Sequence, residues 1–427
     1  MHYRCPLPNN SLMALFASGH KIKELLVVPE KGEPIDLRLQ SGLISYYEDV
    51  SDSSFHWEID LADTDGRLSF IRSGMSVFLT LEHPSLPKGE VIKFDENYPL
   101  FITNVKNILS TAKKEAFTIQ CESKPAIDNQ VTRVYHKYKG QIHSSIKKIL
   151  TETLEIPQDR LEIEETSNAY NFMGNYKRPF HAIGSLCPKS IPIVSNSKTA
   201  GSAGYFFHET LDKFRFVSID NAFNNPSGFE YRYEEGAEGY TEASNFRIVN
   251  EPQWMVDHDI MSKLRRGQYK STNWYFNIVD KKPEFLDYSF KDSINKQMKL
   301  SNEVENIPFE IDERPSRIML STLDFGTLSS GGKLDTPQNQ AYYQAQGSAR
   351  YAALFSQSLN ITVPMNARLH VGLVIKCTFP KINMSKTDHG TAPQSGFYMI
   401  RKLSHKFSTG GDFTGLTLVR DSYSRLT

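Results

Sequence analysis

The sequence predicts an α+β protein that is predominantly antiparallel β. Three observations carry this: several stretches alternate apolar and polar residues, turn residues separate them, and a few segments switch to helical spacing. In FHWEIDLAD, Phe55, Trp57, Ile59 and Leu61 alternate with His56, Glu58 and Asp60. That is the period of a strand with one buried face. Further strands are expected at 76–83, 99–108 and 115–123, with turns at DTDG (63–66) and SLPKGE (85–90). Residues 1–125 thus form a first β-domain, a barrel or sandwich.

The pattern then changes. Ile142, Ile146, Ile149, Leu150 and Leu154 fall on one helical face within 139–156. A short helix is expected at 180–191. GYFFHET and KFRFVSID (204–210 and 213–220) read as two strands around the turn Leu211-Asp212-Lys213. Phe206 and His208 share one face of the first strand, and Tyr205, Phe207 and Glu209 share the other. Aromatics on both faces predict burial on both sides. These elements define an α+β domain, 126–245.

Residues 251–266 read as a helix through Trp254, Ile260, Met261 and Leu264, stopped by Gly267. Strands are expected at 268–280 and 285–290. Residues 291–345 are polar, with a loop composition at 328–340. A third segment, 246–345, ends there. A helix at 341–359 leads into strands at 360–365, 373–380, 396–407 and 414–423, and the last β-domain is set at 346–427.

The 427 residues hold 49 Lys+Arg and 49 Asp+Glu, a formal net charge of zero. Such a chain has no long-range pull toward DNA or an anionic membrane, and it suits life in an assembly. Cys5, Cys121, Cys187 and Cys377 lie far apart without CxxC spacing. Buried reduced thiols are expected, not a zinc site or a disulfide framework. The apolar run LMALFA near the N-terminus is too short for a signal peptide, and no run of about 18 apolar residues occurs. Synthesis in the cytoplasm without membrane anchoring is the expectation.

An order of features recurs. Gly74-Met75-Ser76-Val77-Phe78-Leu79 matches Gly372-Leu373-Val374-Ile375-Lys376-Cys377, and each run leads to a proline, Pro84 or Pro380. Phe101 to Val105 parallels Tyr398 to Leu403, and Phe117 to Cys121 parallels Leu416 to Arg420. Any two antiparallel β-domains share such an order, and no long identity separates that reading from a true repeat. If the repeat is real, a trimer presents six similar modules.

No motif calls for catalysis. His208 and Glu209 are adjacent in a strand, so their side chains diverge, and HET is not HExxH. Asp63 and Asp65 open a calcium-like loop, but the remaining ligands are missing. Gly331-Gly332 lies in a Ser/Gly loop, not between a strand and a helix. Carboxylates at 162–166 and 230–242 could supply a glycosidase pair, but they read as solvated strands and loops. The basic run 263–270 reads as a helix end favoured by the dipole. Neither cofactor nor metal is expected.

Four segments in order carry a resemblance: 42–66, 178–220, 343–372 and 395–423. With these the chain resembles the baseplate hub proteins of T4-like contractile-tailed phages, most closely the marine myovirus versions. The resemblance implies two tail-tube-like β-modules per chain plus α+β hub domains. It implies a virion homotrimer, a pseudo-sixfold ring around a channel for DNA in transit. Its partners would be the trimeric spike or tail-lysozyme protein, the tail tube or its initiators, and baseplate wedge proteins. It also suggests that strands from about 250–290 join the second module. Fold residues singled out are Trp57, Gly204, Phe206, Phe207, Phe214, Phe216, Gly372, Gly396, Tyr398 and His405, none of them catalytic. Two other readings stand beside it. One is a β-rich polysaccharide- or peptidoglycan-degrading tail enzyme. The other is a type VI secretion spike, disfavoured because the chain ends soon after its second β-module.

Overall fold

The computed structural model describes residues 19–63, 66, 70–111, 114–193, 201–233, 246–256, 259–277, 281–294, 297–301, 314–323, 340–355, 357–381 and 392–422. The protein is α+β and β-rich, built on one 14-stranded sheet. In the first module the strands His56–Asp63, Glu115–Ser123, Leu100–Ser110 and Ser76–Glu82 pair in that order. In the second, Gln357–Pro364, Phe413–Arg420, Gly396–Phe407 and Val374–Thr378 pair in the same order. A further strand flanks each set on the same side, Ser41–Asp49 in the first and Gln253–Val256 in the second. On the opposite side Lys21–Val28 pairs with Ser76–Glu82, and Glu230–Arg232 pairs with Val374–Thr378.

The backbone makes the repeat specific. Gly74 N–H donates to Ile102 O (2.7 Å), and Ile102 N–H donates to Met75 O (2.9 Å). Gly372 N–H donates to Ile400 O (2.8 Å), and Ile400 N–H donates to Leu373 O (2.8 Å). A bulge follows both isoleucines, between Ile102 and Asn104 and between Ile400 and Lys402. The match of Gly74 with Gly372 is therefore the one the sequence suggests. The closing strands need a correction of two residues. Cys121 sits opposite Ile102, while Leu418, not Arg420, sits opposite Ile400. A slip of two preserves which side chains face the core, so alternation alone cannot detect it.

Gly74 and Gly372 have φ of +94° and +84°. An added Cβ meets nothing within 4 Å at Gly74, but lies 3.4 Å from His208 Cε1 at Gly372. Gly74→Ala is expected to cost backbone strain alone, about 1–3 kcal/mol. Gly372→Ala is expected to cost more, because His208 must also yield. Denaturation midpoints of the two variants compare the costs, and equal losses would mean that His208 gives way freely.

The lobe between the modules packs helices Pro179–Leu186 and Ile142–Lys148 on the strands Leu161–Ile163, Phe214–Ser218 and Tyr205–Glu209. Leu161–Ile163 runs parallel to Phe214–Ser218, and Tyr205–Glu209 is antiparallel to it. A second insertion, in the second half of the chain, carries a separate sheet, Lys282–Ser289, Lys270–Asn277 and Arg317–Leu323. This sheet lies on the helix Gln340–Leu354. Tyr275 OH donates to Ala341 O (2.9 Å), and the Tyr288 and Tyr342 rings stand 5.8 Å apart.

Several expectations change. Trp254 is not helical. Gln253–Val256 is a strand on Gln357–Pro364, and the helix is only Ile260–Arg266. The Asp259 carboxylate accepts from Ser262 N–H and caps that helix, so the apolar spacing spans two elements. The strands 270–277 and 282–289 do not join the second module; only 253–256 does. The helix expected at 341–359 ends at Leu354, and strand structure resumes at Gln357. Strand Arg317–Leu323 and helix Lys124–Val131 arise where the residue pattern carries no strong signal. The loop at 328–340, except Gln340, lies outside the described residues, as do Asp65, Cys5 and 234–242.

Candidate functional site: the seam between the modules and its two free edges

The modules meet strand to strand. Gly396–Phe407 pairs antiparallel with Ser41–Asp49, from Lys402 opposite Asp49 to Phe407 opposite Ile44. On the core side Trp57, fully buried, stands 4.7 Å from Tyr46 and 6.3 Å from Phe407 of the other module. His405, also fully buried, stacks on Tyr46 at 5.8 Å, and its Nδ1 lies 2.8 Å from Thr414 Oγ1. On the open face Lys402 pairs with Asp49 at 2.9 Å. A groove of about 440 Å³ crosses the seam there, lined in part by Tyr47, Asp52, His56, Glu251 and Thr417.

Buried carboxylates tie the units together. Glu48 accepts from Tyr46 OH (2.5 Å) and from Val371 N–H of the second module (2.9 Å). Glu209 reaches from the lobe hairpin and accepts from Tyr98 OH (2.6 Å) and Ser123 OH (2.8 Å) of the first module. Burial pushes Glu48 up to about 7 and Glu209 up to about 8. Asp412 of the second module holds His20 (Nδ1 at 2.9 Å) and faces His83 Nε2 at 3.5 Å. Burial opposes ionisation of Asp412, yet the hydrogen bonds from both histidines hold its carboxyl well below the usual range.

His208 and Glu209 are brought into this junction but not onto each other. His208 is fully buried against Gly372, and Glu209 reaches the first module. Burial of His208 first, then the charges of His370 and Arg215, lowers it to about 3. Phe207, Phe214 and Phe216 lie in the lobe core, while Phe206 packs on Tyr351 (5.5 Å) and Phe355 (6.2 Å). Gly204 has φ +133°, and a Cβ there would come within 2.9 Å of Ile219 Cδ1. Gly396 opens the seam strand with φ +143°, and Tyr398 on that strand lies under the Arg420 guanidinium at 4.7 Å.

Three of the carboxylates weighed for glycoside hydrolysis are engaged locally. Glu162 pairs with Arg215, Glu164 accepts from Ser218, and Glu230 accepts from Thr378. In the basic run 263–270, Lys263 is buried and Gly267, at φ +71°, ends the helix in the left-handed conformation. Among the described residues no group of three His, Cys, Asp or Glu side chains could hold a metal ion, and no helix is long and apolar enough to cross a membrane.

The seam is not legible in the sequence, and neither are its two counterparts. The strand equivalent to Gly396–Phe407 is Leu100–Ser110, and the strand equivalent to Ser41–Asp49 is Gln253–Val256. Among the described residues no strand pairs with the outer edge of 103–110 or of 253–256. Ile108 and Leu109 on one, and Met255 on the other, are exposed. An unpaired edge with apolar side chains is a template for another strand.

No family model matches the sequence, and no curated protein matches it. Solved structures do. A tail protein from Neisseria meningitidis MC58 superposes with a TM-score of 0.56 at 10% identity, over 95% of this chain and 97% of that one. The 43 kDa tail protein of prophage MuSo2 from Shewanella oneidensis gives 0.54 at 9% identity, over 93% and 99%. The chain therefore shares the fold of these two tail proteins along nearly its whole length.

Proposed function

We infer that the protein is a structural component of a phage tail baseplate, the central hub. Three copies close head to tail into a pseudo-sixfold ring, which joins the tail tube to the membrane-puncturing spike and leaves a channel for DNA. The ring carries no catalysis. Its further partners are wedge proteins, and its place is the virion. One observation carries this reading: each chain contains one complete seam and both halves of a second. The equivalence of Ile102 with Ile400 sets Asn107 against His405, which pairs with Tyr46. Trp254, opposite Leu359 as Tyr46 is opposite Trp57, then falls beside Asn107 of the next copy. A contact between two different edges is heterologous, so it closes only as a ring or runs on as a filament. Six like modules suit a threefold body that must face a sixfold tube.

Light scattering on the purified chain is expected to give three times 48.6 kDa. The double variant Ile108→Lys, Leu109→Lys charges an exposed edge, leaves the fold intact and should yield monomers. A wild-type chain that stays monomeric with and without spike protein would sink the ring. So would a double variant that still forms trimers.

A further inference from the structure

Among the described residues nothing covers the outer face of the small sheet 270–323. Trp274, Phe276, Phe285, Ile318 and Leu320 share it, because Trp274 lies opposite both Phe285 and Leu320 while Thr272 lies opposite Ile318. Phe285 is 63% exposed and Leu320 is 78% exposed. The inner face holds the buried Tyr275 and Tyr288 against the helix 340–354. An apolar face of this density on a stable sheet marks an interaction surface.

A second apolar surface lies on the lobe. Val131 (76% exposed), Tyr135, Met173 and Tyr176 (74% exposed) are open to solvent, and the Tyr135 and Tyr176 rings stack at 6.1 Å. The topology relates the two surfaces. Register places Leu100 with Ser123, Lys402 with Asp49, Val256 with Ser358 and Gln357 with Arg420, so these positions lie toward one rim of the sheet. The lobe leaves the sheet after Ser123, and the small-sheet insertion leaves after Val256 and returns at Gln357. Both therefore stand on that rim.

Within one chain the helix 340–354 already seals one side of the lobe. Arg350 pairs with Asp220, Tyr351 OH donates to the Tyr205 carbonyl, and Ala203 N–H donates to Gln346 Oε1 (3.0 Å). If Leu100–Ser110 of one copy meets Gln253–Val256 of the next, the next copy's insertion stands on the lobe's other side. It presents the sheet face turned away from its own helix, which is the apolar one. We propose that the small-sheet face around Trp274 and Phe285 docks on the Tyr135–Tyr176 surface of the neighbouring copy. This is a second contact that locks each ring seam, and it rests on the ring reading above.

The test places the photocrosslinker p-benzoylphenylalanine at Phe285 in the full chain, mixed from heavy- and light-isotope preparations. The expected product joins the residue-285 peptide of one copy to a peptide holding Tyr135 or Tyr176 of another. Tyr135→Glu with Tyr176→Glu should cut its yield about tenfold or more, as loss of a buried aromatic anchor does, without lowering the melting temperature. Trimers that cross-link elsewhere, only within a chain, or not at all would overturn the docking and leave the ring standing. Particles that light scattering finds monomeric throughout would overturn both.

Discussion

Phe207→Ala is expected to destabilise the protein by about 3–5 kcal/mol, as large-to-small truncations of buried aromatics do. Phe207 is buried, with Phe180 at 5.5 Å and Phe214 at 6.2 Å. The strand that carries it is buried at every position, Tyr205 to Glu209, so the backbone cannot collapse into the space left. Both of its faces are occupied: Phe207 looks into the lobe core, and Phe206 looks toward the helix that joins the second module. The loss should appear first as unfolding of the lobe. Urea unfolding followed by near-UV circular dichroism reads it, with Phe207→Leu as the milder reference. A midpoint within error of wild type would contradict the packing.

The hairpin around Phe207 is legible in the sequence because alternation, a turn and aromatics on both faces agree locally. Trp57 is legible for the same reason. The helix 124–131 is not, because KPAIDNQV has no apolar stripe. Trp254 misleads because its spacing to Met261, seven residues on, also fits a helix; pairing with Leu359, far along the chain, decides it. Strand 317–323 carries apolar residues on an exposed face, so burial patterning has nothing to report. The seam itself is non-local, linking residues near 45 to residues near 405, and no window of sequence contains it. What the sequence does hold is the repeat. Once Gly74 and Gly372 are superposed, the internal seam becomes a template for the external one.

Stability is expected to fall as pH rises above 6.5, and Glu209→Gln should remove much of that fall. Two sets of buried groups act in opposite directions. Burial lowers His208 and His405 to about 3 and His370 to about 4, against 6.5 in the unfolded chain. Their contribution is present above pH 6.5 and is lost as pH falls toward 4 and below. Burial raises Glu48 to about 7 and Glu209 to about 8, against 4.5 unfolded. Their contribution is present below pH 4.5 and is lost as pH rises through 7 to 8. Between 4.5 and 6.5 the two sets oppose each other; above 6.5 the histidines no longer titrate and the raised carboxylates, Glu122, Glu164 and Asp421 among them, act alone, so stability declines. Ionised Glu209 would face the Glu48 carboxylate across a buried junction, with Arg160 as its nearby cation. Glutamine keeps the shape and an oxygen for Tyr98 or Ser123 but never charges. At pH 9 the variant should exceed wild type by a few kcal/mol, since a tenfold change in an acid's dissociation constant on folding is worth ~1.4 kcal/mol. At pH 5 the two should differ little. Urea midpoints at pH 5, 6.5 and 9 decide it. A wild-type midpoint that keeps rising to pH 9 would show that Glu209 ionises near its ordinary value in the folded protein. The hairpin would then be held to the first module by a charged hydrogen bond, not by a neutral one.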